Sequence, residues 1–192
     1  MGGTQSYPGL TQDLLEDYAA LTYLSKGEIV YLMKKFYSID PEKLKANPNH
    51  RFSKEDIIKK FHVLENNPFQ DRIFRVFSSQ RDNCFSFEDM LDLYSAVSSD
   101  CPREVKAVWA FRIYDINEDN QITKSDIIEI LDRLTGHLND RNDGLESQSK
   151  IKIAKLILEE LSLDNTGSIG LSEFKIMMAR IPEFANSFYF RL

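Results

Sequence analysis

The sequence predicts an all-α protein of two paired helix-loop-helix modules, on three observations. First, four short segments share one form: an apolar residue, three mostly polar ones, an acid, then a helical apolar stripe. They are Phe52-Ser-Lys-Glu-Asp56, Phe85-Ser-Phe-Glu-Asp89, Ile122-Thr-Lys-Ser-Asp126 and Ile169-Gly-Leu-Ser-Glu173. Second, the flanks carry apolar residues at i, i+3, i+4 and i+7, as in Ile29, Leu32, Met33 and Phe36, or Ile127, Ile130, Leu131 and Leu134. Third, the stretch from Gly136 to Ser149, between the last two segments, is rich in Asn, Asp and Gly and reads as a surface loop or a lobe-to-lobe linker.

Taken in order, residues 1–24 form an N-terminal extension, 25–98 one pair of units, 99–183 a second pair, and 184–192 an apolar tail. Phe174, Met177, Met178 and Ile181 repeat the helical spacing near the end. Helix, loop, apolar residue, acid, helix is the EF-hand plan. The fold class is therefore all-α, with two EF-hand pairs, short inter-loop strands and a C-terminal extension helix. The apolar leader occupies position 8 of each twelve-residue loop, where two loops pair through a short strand. Phe52 should meet Phe85, and Ile122 should meet Ile169.

The loops differ in what they offer a cation. The first begins at Lys45, with Asn47 and Asn49 at positions 3 and 5, and a positive first residue excludes an ion. The second begins at Ser78 and carries Gln80, Asp82 and Asn83 before Asp89. Both read as silent, leaving the N-terminal pair held by packing alone through Phe52, Phe61, Phe74, Phe77 and Phe85.

The third loop places Asp115, Asn117, Asp119, Asn120, Gln121, Thr123 and Asp126 at positions 1, 3, 5, 6, 7, 9 and 12. Hard cations need oxygens that close around one point, and this spacing supplies them. Asp115, Asn117 and Asp119 present side-chain oxygens, Gln121 its backbone carbonyl, and Thr123 acts directly or through water. Position 6 turns sharply with positive φ, and Asn120 is the best substitute there for glycine. Asp126 is one methylene shorter than the Glu that usually clamps calcium. A single-oxygen ligand favours six-fold coordination and tolerates Mg²⁺, so the expected ion is Ca²⁺, Mg²⁺ or both.

The fourth loop keeps Asp164, Gly167 and Glu173 at positions 3, 6 and 12, but Ser162 stands at position 1 and Thr166 at position 5. With Ser168 supplying the position-7 carbonyl, it reads either as a weak metal site or as a structural loop without an ion.

The chain has 192 residues and a net charge of −6, from 24 basic and 30 acidic side chains, which is no nucleic-acid footprint. Cys84 and Cys101 sit in no zinc or redox spacing and read as free thiols. No secretory start or apolar span is visible, so an intracellular protein is expected. His50, His62 and His137 fall in no catalytic context and no phosphate-binding fingerprint occurs, so a non-enzymatic role is expected.

Asn67-Pro-Phe-Gln-Asp-Arg-Ile73, Ser86-Phe-Glu-Asp-Met-Leu-Asp-Leu93, Ala110-Phe-Arg-Ile-Tyr-Asp115, Pro182-Glu-Phe-Ala-Asn-Ser-Phe188 and the ending Phe190-Arg-Leu192 resemble one group over essentially the whole chain. That group is the calcium- and integrin-binding protein family. The resemblance implies four hands of which the first two hold no metal, and an Asp closing the third, as Asp126 does. The family's fourth loop usually opens with Asp, whereas this one opens with Ser162.

It further implies a regulatory adaptor that takes an amphipathic helix from the cytoplasmic segment of a membrane protein, an integrin α tail or a mechanosensory transmembrane channel-like subunit. Phe184, Phe188, Phe190 and Leu192 would either pack as a last helix or plug the groove until a partner displaces them. Met1-Gly-Gly-Thr-Gln-Ser6 fits the N-myristoylation pattern, with Gly2 as acceptor. One acyl chain gives reversible attachment, and the first cation is Lys26, so a monomer peripheral at the inner face of the plasma membrane is expected. The alternative is a regulatory subunit of a catalytic partner such as a phosphatase, of calcineurin B type.

Overall fold

The computed structural model describes Tyr7 and residues 9–135, 147–161 and 167–181. It divides into two compact units, with the boundary between Cys101 and Pro102, where the sequence pattern places it after Ser98.

The N-terminal unit opens with a helix inside the stretch that the sequence pattern marks only as an extension. Helix α1 (Gln12–Leu21) starts where the Thr11 side chain accepts from the Leu14 N–H. It packs on α2 (Lys26–Tyr37), whose start is a capping box: Ser25 and Glu28 satisfy each other's backbone N–H groups. Helices α3 (Pro41–Ala46) and α4 (Lys54–Lys60), a 3₁₀ turn at His62–Leu64, α5 (Gln70–Phe77) and α6 (Phe87–Val97) follow. Ile29, Leu32, Met33 and Phe36 are all buried on α2, as their spacing requires.

The leaders meet. Phe52 and Phe85 form an antiparallel bridge, exchanging two backbone hydrogen bonds of 2.9 Å. Phe36 packs edge-on against Phe52 at 5.1 Å, and Phe74 stacks on Phe85 at 4.5 Å. Phe36, Phe52, Phe61, Phe74 and Phe85 are all fully buried. Burial stabilises the unit by about 1.5–3 kcal/mol for each such side chain.

The C-terminal unit runs α7 (Arg103–Tyr114), β1 (Ile122–Thr123), α8 (Lys124–Thr135), α9 (Ser147–Leu161), β2 (Ser168–Ile169) and α10 (Leu171–Arg180). Strands β1 and β2 pair antiparallel with Ile122 opposite Ile169 and Thr123 opposite Ser168. Its core gathers Ala107, Ala110 and Phe111 of α7 with Ile122, Ile127, Ala154, Leu158, Ile169, Phe174 and Met178. Phe111 meets Phe174 edge-on at 5.6 Å. Cys84 is half-buried and Cys101 buried, and the two form no disulfide. Among the described residues no helix is long and apolar enough to cross a membrane. The expected C-terminal extension helix lies outside the described residues.

Candidate metal centre

The third loop is assembled by its own side chains gripping its backbone. Asp115 caps the end of α7 and is buried. Its two oxygens accept from the Asp119 N–H at 3.1 Å and the Asn120 N–H at 2.9 Å. Asn117 Oδ1 accepts from the Asp119 N–H at 3.1 Å, and Asp119 Oδ1 accepts from the Gln121 N–H at 2.8 Å. Asn117 Nδ2 also donates to Asp119 Oδ2 at 2.8 Å. Glu118 and Asn120 hold positive φ, 60° and 65°, where the chain doubles back. Of the two, Asn120 sits at the position normally given to glycine, and Asn visits this region far more readily than other side chains do.

Asp126 closes the ring from the far end. Its Oδ1 accepts from the Ile116 N–H at 3.2 Å, tying position 12 to position 2. Its Oδ2 accepts from the Thr123 N–H at 2.9 Å and the Thr123 hydroxyl at 2.5 Å. Thr123 immediately precedes α8, so Asp126 is both the loop's last acid and the acid of a helix-capping pair. The Gln121 side chain turns to the neighbouring loop, where its Oε1 accepts from the Ser168 hydroxyl at 3.1 Å.

Electrostatics fit a cation. Burial pushes the Asp115 carboxyl above its ordinary value; hydrogen bonds from Asn120 and Asp119 oppose this, and the Asp119 and Asp126 carboxylates add to it. A positive charge among these three acids would relieve that repulsion. Among the described residues, no three His, Cys, Asp or Glu side chains converge as a metal cluster. The donor set matches that outcome: the acids grip N–H groups, and the remaining ligand oxygens belong to Asn117, the Gln121 backbone and Thr123.

In the fourth loop Ser162, Asp164 and Thr166 lie outside the described residues, as do Gly2, Phe184, Phe188, Phe190 and Leu192. The Ser168 hydroxyl donates to Gln121 Oε1, and Glu173 Oε2 accepts from the Gly170 N–H at 2.9 Å ahead of α10. Gly167 has φ of 79°, and a side-chain carbon there would meet nothing within 4 Å, so this glycine serves backbone conformation rather than space.

The first two loops correct one expectation: packing alone does not hold the N-terminal pair. In loop one, Lys45 turns to Glu42 at 2.7 Å. Arg51, at position 7 of that loop, sends its guanidinium into loop two. Nη1 donates to Asp89 Oδ2 at 2.8 Å and the Ser79 hydroxyl at 2.9 Å. Nη2 donates to Asp82 Oδ1 at 2.9 Å, the Ser78 hydroxyl at 3.0 Å and the Cys84 carbonyl at 2.6 Å. Asp82 is held well below the usual carboxylate range, first by Arg51 and next by the Cys84 N–H. The signal was present in the sequence as an Arg beside the bridging Phe52, opposite a loop retaining Asp82 and Asp89.

Paired helix-loop-helix units, joined through position 8 and with one loop carrying a full oxygen set, define an EF-hand protein. Residues 104–179 match the EF-hand domain pair family. Calcium and integrin-binding family member 2 of Mus musculus is 32% identical over 202 aligned positions, covering all of both chains. The Danio rerio member 2 is 30% identical over 198, and Homo sapiens member 3 is 30% identical over 196, again at full coverage of both chains. The chain belongs to the calcium and integrin-binding family.

Proposed function

We propose that this chain is a non-enzymatic regulatory adaptor that binds Ca²⁺ and Mg²⁺ and docks an amphipathic helix from the cytoplasmic segment of a membrane protein. The observation that carries the reading is the third loop, where Asp115, Asp119 and Asp126 are each held in place by the loop's own N–H groups. Asp115, Asn117, Asp119, the Gln121 carbonyl, Thr123 and Asp126 would hold the ion. It supplies positive charge where the acids repel one another, and Asp126 transmits its position directly to α8 through the Thr123 cap. The short Asp126 side chain favours Mg²⁺ in the resting cell, with partial exchange for Ca²⁺. The fourth loop, opening with Ser162, contributes a weak site at most.

The relatives' names include integrin binding, which supports an integrin α tail as the partner class. A transmembrane channel-like subunit presents the same chemistry, a cytoplasmic amphipathic helix. Leu156 of α9 and Ile176 of α10 are exposed apolar side chains on the C-terminal unit. Phe184, Phe188, Phe190 and Leu192 act as the plug that a partner displaces. Gly2 is the acylation site, giving a monomer that associates reversibly with the inner face of the plasma membrane.

Calorimetry with a juxtamembrane integrin α peptide tests the reading. Binding is expected in Mg²⁺ or Ca²⁺, weakened by Asp115→Asn and strengthened by deletion of residues 184–192. Absence of binding in every ion state contradicts it.

A further inference from the structure

Loop two has the backbone of loop three. Its position-12 acid, Asp89, accepts from the position-2 N–H of Ser79 at 3.0 Å, as Asp126 does from Ile116. Its position-5 acid, Asp82, accepts from the position-7 N–H of Cys84 at 2.9 Å, as Asp119 does from Gln121. At position 1 the Ser78 hydroxyl accepts from the Asp82 N–H at 3.3 Å, where Asp115 accepts from Asp119. Positions 4 and 6, Arg81 and Asn83, have φ of 56° and 59°, matching Glu118 and Asn120. Two loops with different ligand sets thus adopt one conformation.

What differs is the occupant. The Arg51 guanidinium contacts Ser78, Asp82, the Cys84 carbonyl and Asp89. Those are positions 1, 5, 7 and 12, four places at which an EF-hand loop offers oxygen to its ion. The route is set by the inter-loop bridge. Position 7 directly precedes the bridging residue, and its side chain crosses to the partner loop, as Gln121 does to Ser168. Arginine is long enough to reach the centre, and its planar fork presents donors to several oxygens at once.

We propose that loop two is a cation site whose cation is supplied by the chain itself, the Arg51 guanidinium standing in for a divalent ion. Loop two is therefore held in the backbone arrangement it shares with loop three at every Ca²⁺ and Mg²⁺ concentration. This goes beyond the reading of loop three and does not depend on it.

The test is a nitrogen-resolved NMR titration of the full chain with CaCl₂, in wild type and Arg51→Ala. In wild type the Ser79, Asp82 and Cys84 amides stay fixed up to roughly 10 mM calcium, beyond the weakest known EF-hand sites. In Arg51→Ala the same amides shift and saturate, because the vacated oxygens now take the ion. Wild-type loop-two amides that titrate, or variant amides that do not, overturn the proposal. Should Arg51→Ala fail to fold, exchange of guanidinium hydrogens in ion-free wild type decides instead. Arg51 hydrogens should exchange roughly tenfold or more slowly than those of exposed Arg103, and equal rates overturn the proposal.

Discussion

At the scale of single residues, charge and side-chain length distribute the ion chemistry. Asp126 ties the two ends of its loop, one oxygen accepting from the Ile116 N–H and the other from the Thr123 N–H at the start of α8. Asp126→Glu lengthens the ligand so that both oxygens can face the ion. Calcium affinity should rise by about an order of magnitude with Mg²⁺ binding weakened, measured by competition calorimetry. An unchanged ion preference would show that selectivity is set elsewhere in the loop. Arg51 illustrates the opposite economy: one side chain supplies a whole ion's worth of hydrogen bonds, and its Nε is left buried without a partner.

At the scale of elements, the repeated form has a physical origin in helix capping. Ser53 with Asp56, Ser86 with Asp89 and Thr123 with Asp126 pair a hydroxyl residue before the helix with an acid three residues on. In each of these loops the acid helps to start the exiting helix. The pairing of Phe52 with Phe85 and Ile122 with Ile169 was legible because apolar leaders at a fixed loop position have nowhere else to bury. Phe85 lies at the centre of the first bridge, fully buried and stacked on Phe74. Phe85→Ala should cost about 3–5 kcal/mol in urea unfolding, the range for a large cavity in a tight core. A loss below about 1 kcal/mol would mean that the bridge is not central to the unit. Helix α1 was not read from the sequence although Leu14, Tyr18 and Leu21 follow a helical spacing, and none of its residues is buried. The Arg51 contact escaped for a different reason: it joins residues 38 apart through a bridge whose register must be known first.

At the scale of the molecule, two units share one plan and differ in where the positive charge comes from. The N-terminal unit carries its own, so its stability should depend on pH rather than on ions. Asp82 has a folded pKa depressed below its ordinary 3.8 by Arg51, so its contribution is present above that value and is lost as pH falls further. Urea unfolding from about pH 7 to about pH 2 should show wild type more stable than Asp82→Asn at the upper end, with the gap closing at the acid end. A gap that stays constant would assign Asp82 no role in the charge pairing. In the third loop of the C-terminal unit the acids accept from the loop's own N–H groups. Its three acids were readable from spacing alone, whereas the tail and the opening of the fourth loop remain matters of sequence.

The most direct test of this division is a set of nitrogen-resolved NMR spectra of the full chain, ion-free and with millimolar Mg²⁺ or Ca²⁺. Mg²⁺ alone should shift the amides from Ile116 to Asp126, Ca²⁺ should move them again, and Asp115→Asn should abolish both responses. Third-loop amides that stay still in Mg²⁺ and Ca²⁺ would contradict the account.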